Sequence, residues 1–106
     1  MTDRVVAAID QGTTSTRCLL FNPAGRMVAV AQREHRQYYP RSGWVEHDAE
    51  EIWRNVTRIV PAALRSAGLG PENIVALGIA NQRETTVIWD RHTGTPRARA
   101  ITWQDT

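Results

Sequence analysis

The sequence predicts an α/β domain with a mixed sheet: a three-stranded antiparallel meander, a crossover helix, a fourth strand parallel to the first, and an extra hairpin. Three observations carry that prediction. Val5-Val6-Ala7-Ala8-Ile9 and Ile74-Val75-Ala76-Leu77-Gly78-Ile79-Ala80 are continuously apolar, as expected of buried strands covered on both faces. Residues 49–67 between them place apolar side chains on one helical face. Asp10-Gln11-Gly12-Thr13-Thr14-Ser15-Thr16-Arg17 is a polar elbow between apolar runs, so the chain reverses there as a β-hairpin.

The elements follow in order. Val5 to Ile9 rises, Gly12 supplies a residue able to take positive φ, and Arg17 to Phe21 returns. Asn22-Pro23-Ala24-Gly25 turns the chain into a third strand, Met27 to Gln32. Arg33 to Gly43 reads as a polar surface loop, whose Tyr38-Tyr39 and the following Trp44-Val45 are expected as lids on the core. Asp48 and Glu51 have N-cap and N3 spacing for a helix over 49–67, with Ile52, Trp53, Val56, Ile59, Val60, Leu64 and Ala67 on its apolar face. Gly68 ends it at the C′ position, and Pro61 predicts a kink. After the Ile74–Ala80 strand, Thr85 to Trp89 and Arg97 to Trp103 form a hairpin about Thr93-Gly94, in a register that sets Glu84 opposite Trp103.

Composition bounds the function. The 106 residues, 42% of them hydrophobic, suffice for one domain or part of one. Thirteen basic and eleven acidic residues leave a net charge of +2, too small and too evenly spread to argue for nucleic acid or a membrane surface, and neither is expected as a partner. Cys18 is the single cysteine, a buried core thiol suited to a reducing compartment. No apolar run reaches membrane-spanning length and Met1-Thr2-Asp3-Arg4 opens no signal-peptide pattern, so the expected location is cytoplasmic.

Counting strand directions brings two polar clusters together. The first strand and the one after the helix point the same way, because a βαβ crossover makes its two strands parallel. Asp10 and the cluster Asn81-Gln82-Arg83-Glu84 therefore share the carboxyl edge of the sheet, where open α/β sheets bind ligands.

The elbow has the chemistry of a phosphate holder. Thr13, Thr14, Ser15 and Thr16 offer hydroxyls beside backbone N–H groups, and Arg17 adds a fork suited to phosphate oxygens. Asp10 repels phosphate and so points to a hydrated cation, most simply Mg²⁺. The same composition also makes ordinary turns, and on these eight residues both readings stay open. His47, Glu50 and Glu51 could ligate a metal, but a capped helix start accounts for the acids. The P-loop, dinucleotide and zincin signatures are absent from the sequence.

Four motifs in order, Asp10 to Arg17, Gly43-Trp44-Val45-Glu46-His47-Asp48, Asn81-Gln82-Arg83-Glu84-Thr85-Thr86 and Ala100-Ile101-Thr102-Trp103-Gln104-Asp105, resemble the N-terminal part of the glycerol kinases. These are sugar/polyol kinases of the actin-like ATPase superfamily. The resemblance runs from Val5 to the last residue. It implies the ribonuclease-H-like/actin-like ATPase fold as an incomplete domain: residues 1–106 would be the N-terminal part of the first, substrate- and phosphate-binding, kinase domain. It also implies ATP-dependent phosphorylation of glycerol by the full-length parent, with ATP/ADP, Mg²⁺ and glycerol as partners and self-association left open. Thr13, Thr14, Ser15 and Arg17 match phosphate-contacting positions, and Asp10 matches the acid near the magnesium, reached through water. Arg83 and Glu84 match residues bonded to glycerol hydroxyls, and Trp103 matches the aromatic packed on its carbons. The general base is implied beyond Thr106, leaving no catalytic residue in this stretch and an inactive isolated chain.

Three rivals are weighed. Another sugar/polyol kinase of the same family would keep the hairpin and alter Arg83, Glu84 or Trp103. A ribonuclease-H-like nuclease would want an acid where Asn81 stands. A non-catalytic nucleotide-binding domain needs only the elbow.

Overall fold

The computed structural model describes residues 4–105. Met1 to Asp3, part of the stretch read for a signal peptide, lie outside them, as does any base beyond Thr106. The strands are β1 (Val5–Gln11), β2 (Ser15–Phe21), β3 (Met27–Glu34), β4 (Glu46–His47), β5 (Ile74–Asn81) and β6 (Ala100–Ile101); helix α1 is Ala49–Ser66 and Pro71–Asn73 form a 3-10 turn.

A four-stranded sheet runs in the order β3-β2-β1-β5, with β1 antiparallel to β2 and parallel to β5. The expected meander, crossover and parallel fourth strand are all present. Asn22 closes the β2–β3 turn by accepting the N–H groups of Ala24 and Arg26 on its side chain, and Gly25 takes the left-handed φ of 80° there.

Helix α1 starts as its sequence dictates. The Asp48 carboxylate accepts the N–H groups of Glu50 and Glu51, satisfying donors that the first turn leaves open. Glu51 does not bond back to Asp48; it accepts the Arg36 N–H and so ties the helix to the loop after β3. Gly68 follows the cap at φ 70°, the left-handed residue that ends the helix. The helix continues through Pro61 to Ser66 as one element.

The core lies between α1 and one face of the sheet: Val5, Ala7, Cys18 and Leu20 meet Ile59, Ala63 and Leu64. Burial pushes the Cys18 thiol pKa up, which keeps it protonated and inert. Trp53, expected on the apolar face, is 65% exposed. The buried residue two positions on is polar: Asn55 donates to the Glu34 carbonyl and holds α1 on β3.

Two expectations about burial fail. β1 is covered on one face only, since Val5, Ala7 and Ile9 are buried while Val6 is exposed. β5, read as a buried strand, exposes Val75, Leu77 and Ile79. The reason is geometric: α1 packs across β2 and β3, so β5 lies outside its footprint and no other described element covers it.

Residues 85–103 form less of a hairpin than expected. Thr86 bridges Ile101, in the expected register, but Trp89 bridges Pro96, a slip of two residues toward the tip. The strand that β6 joins is β4, with Glu46 opposite Ile101 and His47 opposite Ala100. The aromatics beside β4 are not lids on the core. Arg99 and Arg36 stack on Tyr38 at 4.1 and 4.7 Å, Arg41 lies over Trp44 at 5.1 Å, and Tyr39 is exposed.

Candidate active site

The carboxyl ends of β1 and β5 lie side by side, with Gln11 paired to Asn81, and the chain leaves both strands into one open cleft of about 600 Å³. Asp10, Gln11, Gly12 and Thr13 line one wall; Asn81, Gln82, Arg83 and Glu84 line the other, and Trp103 closes over them. The two polar clusters expected at one edge thus face each other.

The β1–β2 turn is held by the Gly12 N–H donating to the Ser15 carbonyl at 2.9 Å. Gly12 does not use positive φ, contrary to expectation. Its lack of a side chain matters for another reason: a Cβ there would stand 3.2 Å from the Ser15 oxygen, tighter than ordinary contact. Asp10 and Arg17 are directly opposite in the ladder and form an ion pair at 2.7 Å, both half-exposed. The Ser15 hydroxyl accepts from Gln32 at 2.9 Å, and Thr14 is exposed at the turn. Thr14, Ser15 and Arg17 are not among the residues that line the cleft. Thr16 is a correction. It alternates inward with Cys18 and Leu20, its hydroxyl is buried with no hydrogen-bond partner, and it offers nothing to a ligand.

On the opposite wall Arg83 and Glu84 are exposed, and neither makes an ion pair among the described residues. Glu84 has φ 56°, the one non-glycine residue at positive φ among those described. Such strain persists where surrounding structure holds it, and it recurs at ligand sites. Trp103 donates its indole N–H to the Thr13 hydroxyl at 2.9 Å, so it tethers the two walls. Its place depends on β6: the Thr102 N–H donates to the Val45 carbonyl, and the Asp105 carboxylate accepts the Val45 N–H at 2.9 Å.

Behind the cleft lies a histidine pair that sequence reasoning missed. His35 and His47 are buried, their rings meeting edge to face at 4.4 Å. Burial, then the proximity of His35, lowers the His47 pKa to about 4, so it is neutral near pH 7. Burial also lowers His35; the Thr13 backbone and Glu51 oppose that shift. Both His47 ring nitrogens are engaged by glutamine side chains, Nε2 with Gln37 and Nδ1 with Gln82, and no group of three or more ligating side chains occurs among the described residues.

Two carboxylates line the cleft, Asp10 and Glu84, on opposite walls, and Asp10 is the one beside the hydroxyl-rich turn. That donor set fits an ion such as Mg²⁺ that keeps most of its water, and does not fit a cage built from protein. Asp90 is turn chemistry. Its carboxylate accepts the N–H groups of Thr93 and His92, which hold its pKa below the usual range.

Residues 5–106 match the FGGY family of carbohydrate kinases, N-terminal domain. The chain belongs to this family. Among relatives of this FGGY chain, a glycerol kinase of Saccharopolyspora erythraea is 64% identical over 101 residues, which cover 95% of the chain and 20% of the relative. The chain thus spans about a fifth of the length of the curated relatives it matches. The crystal structure of Plasmodium falciparum glycerol kinase with ADP superposes with a TM-score of 0.88 at 34% identity, covering 99% of this chain and 21% of that one. Gluconate kinase from Lactobacillus acidophilus gives the same TM-score of 0.88 at 21% identity, covering 98% of this chain and 20% of its own. The FGGY fold, of the actin-like ATPase kind, is therefore common to kinases named for different substrates, and the backbone alone does not choose among them. No described helix is long and apolar enough to cross a membrane.

Proposed function

We propose that the full-length protein phosphorylates glycerol from ATP, and that residues 1–106 supply the N-terminal part of the domain that holds both substrates. The observation that carries this reading is the cleft: a hydroxyl-rich turn with Asp10 faces Arg83, Glu84 and Trp103 across a space sized for small ligands.

Thr13, Thr14, Ser15 and Arg17 hold the nucleotide phosphates with hydroxyl, backbone and guanidinium donors. Arg17 reaches them from its pair with Asp10. Asp10 would hold a hydrated Mg²⁺, and the ion when bound would supply neutralisation of phosphate charge. Arg83 donates to glycerol hydroxyls, Glu84 accepts from them, and the Trp103 indole covers the CH groups. The base that takes the proton from the attacking hydroxyl comes from residues beyond Thr106. Phosphoryl transfer depends on positioning and charge stabilisation, so the isolated chain has no turnover.

The glycerol kinase of S. erythraea supports this acceptor through its 64% identity. A substrate-profile assay of the full-length protein with ATP and Mg²⁺ tests it. Glycerol is expected to have the highest kcat/KM among polyols and sugars, and a strong preference for another acceptor would overturn it. Glycerol turnover by residues 1–106 alone would overturn the missing-base argument.

A further inference from the structure

Behind the two walls of the cleft runs one continuous line of side-chain hydrogen bonds. The Gln82 amide lies 3.1 Å from His47 Nδ1, His47 Nε2 lies 2.6 Å from Gln37 Oε1, and Gln37 Nε2 donates to the Thr13 carbonyl at 3.0 Å. The direction of donation follows from chemistry. A Gln amide nitrogen only donates, so Nδ1 must accept; the proton then sits on Nε2, which donates to the Gln37 oxygen. Gln82 is fixed at its other end too, since its Oε1 accepts the Thr85 hydroxyl at 3.3 Å.

The line joins the walls that the cleft separates. Thr13 belongs to the hairpin, Gln82 immediately precedes Arg83, and His47 is fully buried between them. β4 holds the His47 backbone, because His47 pairs with Ala100 of β6, the strand that leads into Trp103. Only the two ends of the line, Thr13 and Gln82, line the cleft; Gln37 and His47 do not.

We propose that His47 is a positioning residue that sets the spacing of the two half-sites, holding Thr13 through Gln37 and the Arg83 end of β5 through Gln82. Its substrates are those of the glycerol kinase reading, on which this inference rests. His47 touches neither substrate; it keeps the walls at the separation that in-line transfer needs. A small misplacement of reacting groups costs up to about a hundredfold in rate.

The test uses the full-length protein. His47→Phe keeps a ring in the site and removes both hydrogen bonds. It is expected to raise KM for ATP and for glycerol together by about tenfold and to lower kcat. Gln37→Leu, outside the cleft, cuts only the hairpin arm and should raise KM for ATP with KM for glycerol unchanged. The double variant His47→Phe/Gln37→Leu should be no worse toward ATP than His47→Phe alone, because both break one path. Effects that multiply, or a His47→Phe protein with a lower Tm and both KM values unchanged, would overturn the proposal.

Two measurements keep it falsifiable if His47→Phe does not fold or the acceptor is not glycerol. Imidazole nitrogen NMR near pH 7 should find His47 protonated on Nε2 with Nδ1 bare; the other tautomer overturns the line. ADP binding to the Gln37→Leu protein should weaken several-fold, and unchanged affinity counts against it. Absence of glycerol turnover in the unmodified protein, with these two results as expected, would defeat the glycerol reading and leave the positioning role standing.

Discussion

The β1–β2 hairpin and the segment from Gln82 to Asp105 form facing walls of one cleft, yet they are built differently. The hairpin is a continuous ladder from Val6 opposite Phe21 to Gln11 opposite Thr16, with Ala7, Cys18 and Leu20 anchored in the core. The second wall has two isolated bridges, a two-residue strand and a non-glycine residue at positive φ, Glu84. Side-chain hydrogen bonds hold it, among them bonds to residues 35 to 90 positions away in sequence. Under the proposed function the difference has a meaning. A phosphate group is the same in every nucleoside triphosphate and suits a rigid cradle, whereas the acceptor wall sits on loop-like backbone, where side chains change without disturbing the core.

The comparison sharpens first at stability. Leu20→Ala, under the hairpin, should destabilise the full-length protein by about 2–5 kcal/mol, because Leu20 is fully buried. Ile101→Ala on the second wall is 49% exposed and should cost under about 1 kcal/mol. Urea unfolding of both variants checks this, and similar losses would erase the contrast.

The second effect is pH dependence. Unfolded His47 takes a proton near 6.5, folded His47 only at about 4. The unfolded chain therefore binds protons first, so His47 contributes full stability above about 6.5 and progressively less as pH falls toward 4. Melting temperature measured across that window should fall less steeply in His47→Phe, and an identical slope would place the titration elsewhere.

A smaller change is expected at the helix start. Asp48→Ala removes the acceptor for two N–H groups and should cost about 1 kcal/mol. Because α1 supports the hairpin wall through β2 and β3, KM values should stay near normal.

The same division explains how much the sequence revealed. Strand directions, including the parallel sense of β1 and β5, and the Asp48 cap were legible, because each follows from local periodicity, spacing or direction counting. The convergence of Asp10 with Arg83 and Glu84 followed from counting directions alone. What stayed hidden depends on distant partners. Whether Thr16 faces the core or the ligand turns on one step of strand alternation. β4 pairs with a segment more than fifty residues away, and nothing local in Glu46-His47 announces a strand. Gln37, His47 and Gln82 read as ordinary polar residues until the fold joins them. Exposed β5 contradicted its apolar sequence because the helix that would signal its cover lies over other strands.

The central claim is that the hairpin wall holds nucleotide and the second wall holds glycerol, and a crossed pair of variants in the full-length protein tests it most directly. Arg17→Ala should change stability little, since its pair with Asp10 is half-exposed. It should raise KM for ATP by about tenfold or more and spare glycerol, and Arg83→Ala should do the reverse. Equal increases in both KM values for both variants would contradict the division of the cleft.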